Sequence, residues 1–220
     1  MDNTIATSMP TEIQTNVASA LLELGAIKFE IDAPFTWVSG IKSPVYCDNR
    51  MINSDVKVRN LVIDAFVSEI NRLHPGTEVI AGVATGGISF GALIADRMNV
   101  PFVYVRQAPK EHGLKKQVEG HIEAGQKVVL IEDHISTGGS SLKAVQGIRM
   151  ENVDFQGLVS VMTYNFPIAA ERFAESDVPF TSLSDLDIAV AVARENGYLT
   201  SEQADSVLAF RDSPKDWWQG

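Results

Sequence analysis

Residues 128–141 read Val128-Val129-Leu130-Ile131-Glu132-Asp133-His134-Ile135-Ser136-Thr137-Gly138-Gly139-Ser140-Ser141, and the fold is decided by how this stretch is read. A run of branched apolar residues marks a strand buried on both faces. Two carboxylates follow it, and a Ser/Thr/Gly loop then opens a helix. Ligands of open parallel sheets bind beyond the carboxyl ends of the strands, which is where such a loop lies. Its successive backbone N–H groups, with the dipole of the following helix, make a phosphate site. The hydroxyls of Ser136, Thr137 and Ser140 add donors. Carboxylates repel phosphate, so Glu132 and Asp133 fit acceptors for sugar hydroxyls, with the phosphate further along the loop. The stretch has neither G-x-G-x-x-G nor Gly-Lys-Ser/Thr, which removes the dinucleotide and Walker readings. A plain strand–turn–helix with capping residues is the bland alternative.

Working outward, the same rhythm repeats. Residues 79–83 read as a strand, a glycine turn follows, and 88–98 read as a helix. Further strands are expected at 102–106, 127–131 and 158–163, with a helix at 141–149. Strands alternating with helices imply a parallel sheet covered on both faces. Before this unit, 11–24 has helical spacing with Gly25 at its C-cap, and 29–49 is irregular, with strand-like pieces at 35–38 and 45–47. Ser54 is expected to cap a long helix through Leu61, Ile63, Phe66 and Ile70, which ends near Pro75-Gly76. Two helical patterns follow Asp185, then an acidic and aromatic tail. The expected fold class is α/β, a central parallel sheet flanked by helices. It is read as one domain over 1–220, with an N-terminal helix and small hood in 1–52 and the core with C-terminal helices in 53–220.

Composition sets outer bounds. The chain has 220 residues, of which 45% are hydrophobic, enough for a substantial core. A formal charge of −10 argues against a nucleic-acid partner, itself a polyanion. An anionic substrate must then be held by a local site working against the overall field. Residues 1–10 are polar and do not read as a signal peptide, and no apolar run approaches the roughly 18 residues that span a bilayer. The single cysteine, Cys47, has no partner for an internal disulfide and reads as a packing residue. No Cys/His spacing suggests zinc. The expectation is a cytoplasmic protein with no membrane partner.

Three further segments carry chemistry. Ala84-Thr85-Gly86-Gly87-Ile88 follows a strand, and its glycines allow a close backbone approach to a ligand, although a tight βα turn needs no more than this. The 106–116 segment, Arg106-Gln107-Ala108-Pro109-Lys110-Glu111-His112-Gly113-Leu114-Lys115-Lys116, is strongly basic in an acidic chain and follows a strand, the usual place for a functional loop. The 34–50 segment contains Phe35-Thr36-Trp37-Val38-Ser39-Gly40-Ile41-Lys42-Ser43-Pro44-Val45-Tyr46 and ends in Arg50.

With these residues in view, the chain resembles the type I phosphoribosyltransferases. Residues 128–141 are similar to that family's motif for PRPP (5-phosphoribosyl 1-diphosphate): apolar residues, two acids, two variable residues, then a Thr/Ser-Gly loop. The resemblance implies that Glu132 and Asp133 meet the ribose hydroxyls, and that Ser136, Thr137, Gly138, Gly139 and Ser140 hold the 5′-phosphate. It also implies that Thr85, Gly86 and Gly87 form the diphosphate loop, where some members carry a lysine at the position of Gly86. Arg106, Lys110 and His112 resemble the Arg…Lys-x-His-Gly loop of the orotate phosphoribosyltransferases. In that branch the loop is lent to the neighbouring subunit, which implies a homodimer. Gln107 stands where some members have a second lysine.

The 34–50 segment is similar to the Phe-Thr-x-x-Ser-Gly-x-x-Ser-Pro-x-Tyr stretch that covers the base pocket in the same branch. Val38 and Tyr164 stand where some members place a lysine and an arginine for orotate. Lys42 and Arg50 are the nearby cations able to meet the orotate carboxylate, and position in the sequence does not choose between them. The resemblance implies transfer of phosphoribose from PRPP to orotate, with Mg²⁺ bound through PRPP oxygens and water. Asp133, Arg106, Lys110 and His112 are the expected catalytic groups. A phosphoribosyltransferase for a purine or other base, and a PRPP-sensing regulator without turnover, are the rivals. His134 reads as a neighbour of the loop, His74 and His121 as surface residues, and Trp217 and Trp218 as packing residues.

Overall fold

A computed structural model of the chain describes residues 12–108 and 117–218. The N-terminal helix α1 (Glu12–Glu23) ends at Gly25, whose φ of +72° gives the left-handed turn that follows. Short strands come next: β1 (Ile27–Phe29), β2 (Phe35–Thr36), β3 (Lys42–Ser43) and β4 (Val45–Cys47). They pair as two antiparallel ribbons, β1 with β4 and β2 with β3. A 3-10 turn over Asn49–Ser54 leads to α2 (Val56–Leu73). Asp55, not Ser54, caps α2: its side chain accepts from the Val58 amide at 2.9 Å, while Ser54 closes the 3-10 turn.

The α/β unit follows. Its elements are β5 (Val79–Val83), α3 (Gly86–Met98), β6 (Phe102–Val105), β7 (Val118–Glu119), β8 (Lys127–Ile135), α4 (Gly139–Arg149), β9 (Asp154–Thr163), α5 (Pro167–Glu175), β10 (Phe180–Asp185), α6 (Leu186–Glu195) and α7 (Ser201–Asp212). One six-stranded sheet runs β10-β9-β8-β5-β6-β7, parallel except for β7. The expected fold class is the observed one. Along β8, Val128 and Leu130 face one apolar layer, with α4 and α5, while Val129 and Ile131 face the other, with α1, α2, α3, α6 and α7. This strict alternation covers the sheet on both faces, as a parallel sheet requires.

Three features depart from the sequence reading. Strand β8 runs past the apolar residues to Ile135, so Glu132 and Asp133 lie inside the strand, with parallel pairing to β9 that carries on as far as Ile135–Thr163. Helix α5 and strand β10 were not expected; β10 is Phe-Thr-Ser-Leu-Ser-Asp, too polar to read as a strand until β9 supplies its ladder. Helix α1 packs its buried Val17, Ala18, Leu21 and Leu22 into the apolar layer of the sheet, against β10 and α6, which leaves the β1–β4 ribbons as the hood. Among the described residues, no helix is long and apolar enough to cross a membrane.

Candidate active site

An open cleft of about 650 Å³ lies at the carboxyl ends of β5, β8 and β9. Its floor comes from Thr85 and Gly86 at the start of α3, from Asp133 and His134 on β8, and from Ser136 just beyond. The opposite wall is the hood segment, with Trp37, Asp48 and Arg50, joined by Tyr164 from the end of β9. Sheet topology brings these elements together, because every parallel strand delivers its following loop to the same edge.

Adjacent side chains on a strand face opposite ways, and this separates the two acids. Glu132 is 5% exposed and turns toward α4, where its Oε2 accepts from the Ser141 hydroxyl at 3.0 Å and its Oε1 from the Asp133 amide at 3.1 Å. Asp133 turns toward α3 and the cleft. Burial, then the charge of Asp133, pushes the Glu132 carboxyl well above the ordinary carboxylate range. Burial also pushes Asp133 up, but contact with His134 outweighs it and holds Asp133 below its usual value. The two neighbouring carboxyls are thus driven apart, with negative charge favoured on Asp133 over Glu132.

His134 is drawn into the site more closely than its sequence position suggested. Its Nδ1 lies 3.3 Å from Asp133 Oδ2, an ion-pair contact rather than an aligned hydrogen bond, and its amide donates to Asp133 Oδ1 at 2.9 Å. Burial lowers the imidazole pKa, yet the Asp133 carboxylate outweighs burial and leaves it raised. Asn49 adds a second tie: it is 1% exposed and donates to the Asp133 carbonyl at 2.7 Å. Sequence reasoning missed Asn49, since only tertiary contact distinguishes it from any polar turn residue.

The two glycine loops are built differently. At Gly86 the backbone runs against the Asp133 carboxylate, and Gly87 is buried against the Ile131 carbonyl, so α3 sits closer to β8 than any side chain would allow. The Ala84–Thr85 peptide is cis. Gly138 has φ +76° and heads α4, with the Phe173 ring filling the space where a side chain would stand. Ser136, Thr137, Gly139 and Ser140 surround this turn, and Arg172 on α5 donates to the Thr137 carbonyl at 3.0 Å. Arg172 is a second residue that the sequence did not flag, because α5 itself was not read.

Other expected residues distribute unevenly. Arg106 follows β6 and pairs with Glu119 at 3.5 Å, outside the residues that line the cleft. Gln107 donates to the Ala84 carbonyl at 3.1 Å and so joins that segment to the Thr85–Gly87 loop. Lys110 and His112 lie outside the described residues. Lys42 is not brought to the cleft: its ammonium donates to Thr36 Oγ1 at 2.7 Å, and it lines a separate cavity of about 480 Å³ with Lys215 and Trp218. Thr36, the cross-strand partner of Lys42, does line the cleft, so the bond to Thr36 holds the ammonium at the border of the two cavities. Cys47 is a packing residue, bonded to Asn49 Oδ1 at 3.1 Å, and burial pushes its thiol pKa far up. His74 is half-buried with its ring over Gly157, rather than on the surface, and burial lowers its pKa. No group of three His, Cys, Asp or Glu able to hold a metal occurs among the described residues.

Comparison with known proteins places this geometry. Residues 57–196 match the phosphoribosyl transferase domain. The orotate phosphoribosyltransferase of Streptococcus pneumoniae is 43% identical over 205 residues, covering 93% of this chain and 98% of that one. The orotate phosphoribosyltransferase of Porphyromonas gingivalis is 45% identical over 201 residues, 91% of this chain and 96% of that one. The crystal structure of orotate phosphoribosyltransferase from Aeropyrum pernix superposes with a TM-score of 0.70 at 28% identity, covering 83% of this chain and 99% of that one.

Proposed function

The chain belongs to the phosphoribosyl transferase family, and from that premise we propose that it is an orotate phosphoribosyltransferase. It transfers phosphoribose from PRPP to N1 of orotate, giving orotidine 5′-monophosphate and diphosphate, a step of pyrimidine nucleotide synthesis. The observation that carries the reading is the meeting of Thr85 and Gly86, Asp133, and Ser136 at the head of the Ser136–Ser140 loop around one cleft, with the hood on its far side.

The bond from the anomeric carbon to diphosphate oxygen breaks as the bond to N1 of orotate forms. Positive charge develops on the ribose ring meanwhile. Asp133 faces the cleft as an anion, accepts from a ribose hydroxyl and lies where it lowers the energy of that charge. Glu132 lies under the loop, outside the residues that line the cleft, and keeps Ser141 and the Asp133 amide in place. The amides of Ser136–Ser140, with the N-terminus of α4, bind the 5′-phosphate. The Thr85–Gly87 amides take the diphosphate. Arg106, Lys110 and His112, from the basic loop lent by a neighbouring subunit in a homodimer, stabilise the leaving oxygens.

The oxygens of PRPP are hard donors that suit Mg²⁺, which would be held mainly by them and by water. When bound, the ion supplies charge neutralisation at the diphosphate. The enzyme is assigned to the cytoplasm.

Loss of orotate absorbance with PRPP and Mg²⁺, run beside hypoxanthine, xanthine and uracil, tests the reading. Orotate-only turnover that stops on chelation supports it. Turnover of another base would leave the PRPP site and discard the orotate pocket. PRPP binding without diphosphate release from any base would make the protein a sensor.

A further inference from the structure

We infer that Arg50 reads the carboxylate of the pyrimidine and that Asp48 positions it, an assignment that rests on the orotate reading above. The cleft has a sugar-phosphate side, formed by Thr85, Gly86, Asp133 and Ser136, and a hood side. The base therefore lies against the hood. Among the described residues that line this cleft, Arg50 is the one Lys or Arg. Val38 and Tyr164 bring no charge, and Lys42 opens on the neighbouring cavity, bonded to Thr36.

Arg50 is held for this task. Its Nε lies 2.6 Å from Asp48 Oδ1 and its Nη2 3.0 Å from Asp48 Oδ2, so one edge of the guanidinium is fixed side-on. That contact uses two of the five N–H donors a guanidinium carries and leaves a second edge for another carboxylate. Asp48 remains ionised, because its hydrogen bond to Arg50 outweighs its slight burial and lowers its pKa. Asn49, between the two, is buried and donates to the Asp133 carbonyl. The cation and the ribose acceptor are thus joined by one short stretch of chain and one hydrogen bond, which sets the span between the carboxylate and the sugar. Trp37 and Tyr164, packed edge-on with ring centroids 5.1 Å apart, give the same side of the cleft an aromatic lining.

Orotidine 5′-monophosphate and uridine 5′-monophosphate differ by that carboxylate alone, so their relative affinity isolates the contact. In the full-length protein the orotidine nucleotide binds more tightly. In Arg50→Gln this preference falls at least about tenfold, while uridine nucleotide affinity stays within about twofold. Arg50→Lys recovers part of the preference, because it restores charge without the fork. Asp48→Asn weakens it less than Arg50→Gln, and Lys42→Gln leaves it intact. A preference retained in Arg50→Gln, or lost in Lys42→Gln, overturns the assignment; Asp48→Asn without effect overturns the positioning role. A wild-type protein that neither consumes orotate nor prefers the orotidine nucleotide would instead sink the orotate reading itself.

Discussion

The carboxylate of Asp133 occupies the space that a side chain at Gly86 would need: a Cβ there would stand 2.3 Å from Asp133 Cγ and equally close to Oδ2. The loop proposed for the diphosphate and the carboxylate proposed for the ribose are therefore two parts of one contact. Nothing in Ala84-Thr85-Gly86-Gly87 as a string of letters announces this.

Gly86→Ala must displace either the carboxylate or the start of α3. Catalysis depends on sub-ångström placement of reacting groups, so kcat/KM is expected to fall about 100-fold or more. The cleft edge is open, so the circular dichroism spectrum should stay native. Steady-state kinetics beside a thermal melt checks this; near wild-type activity would show that the loop yields easily.

Glu132 gives a pH prediction with a definite sign. Its folded pKa lies above the unfolded value near 4.5, so the native state retains a proton that the unfolded chain releases. That contribution to stability is complete below the unfolded pKa and is lost as pH rises through the folded one. Glu132→Gln removes the titration. The variant should melt closest to wild type at pH 4 and progressively above it as pH rises, by roughly 3 °C for each ~1 kcal/mol in a domain of this size. Parallel melts across pH 4 to 9 decide it; a constant gap would mean that Glu132 does not carry the proton.

Arg172 steadies the loop proposed for the 5′-phosphate through the Thr137 carbonyl. Removing one exposed bond of this kind costs ~0.5–1 kcal/mol, about a 2- to 5-fold rise in KM for PRPP. Arg172→Ala should show that rise with little change in kcat, and Arg172→Lys less of it. A fall in kcat with unchanged KM would place the residue nearer the chemistry.

Phe210 on α7 is fully buried, with ring centroids 5.8 Å from Trp37, 5.6 Å from Phe166 and 5.8 Å from Trp217. The hood wall of the cleft is thus keyed to the C-terminal helix through aromatic edges. Phe210→Ala should cost ~3–5 kcal/mol by denaturant titration. Because Trp37 loses its support, the KM for orotate should rise more than that for PRPP.

How much of this was legible beforehand depends on the range of the interaction. The alternation of Val128 to Ile131, the glycine turns and the helical spacing are local patterns set by strand pleat and helix pitch. They sufficed for an α/β fold with a parallel sheet. That the residues after β8 and β5 share one edge of the sheet was legible for the same reason, since chain direction alone puts them there. Strand β10 was not legible: its Thr, Ser and Asp residues become a strand only when β9 offers a ladder.

Side-chain direction was the other part left to tertiary structure. Glu132 and Asp133 are neighbours in sequence with the same chemistry, yet the pleat sends one to Ser141 under the loop and the other to the cleft. Lys42 and Arg50 were equivalent as cations in a loop, and only the folded chain put Lys42, bonded to Thr36, on the second cavity and Arg50, paired with Asp48, on the first. The sequence by itself determined which chemical groups exist and in which order the elements deliver them. Only the tertiary structure decided which of them share a cleft, because contacts between Asn49 and Asp133, or Gly86 and Asp133, join residues far apart in the chain and depend on how whole layers pack.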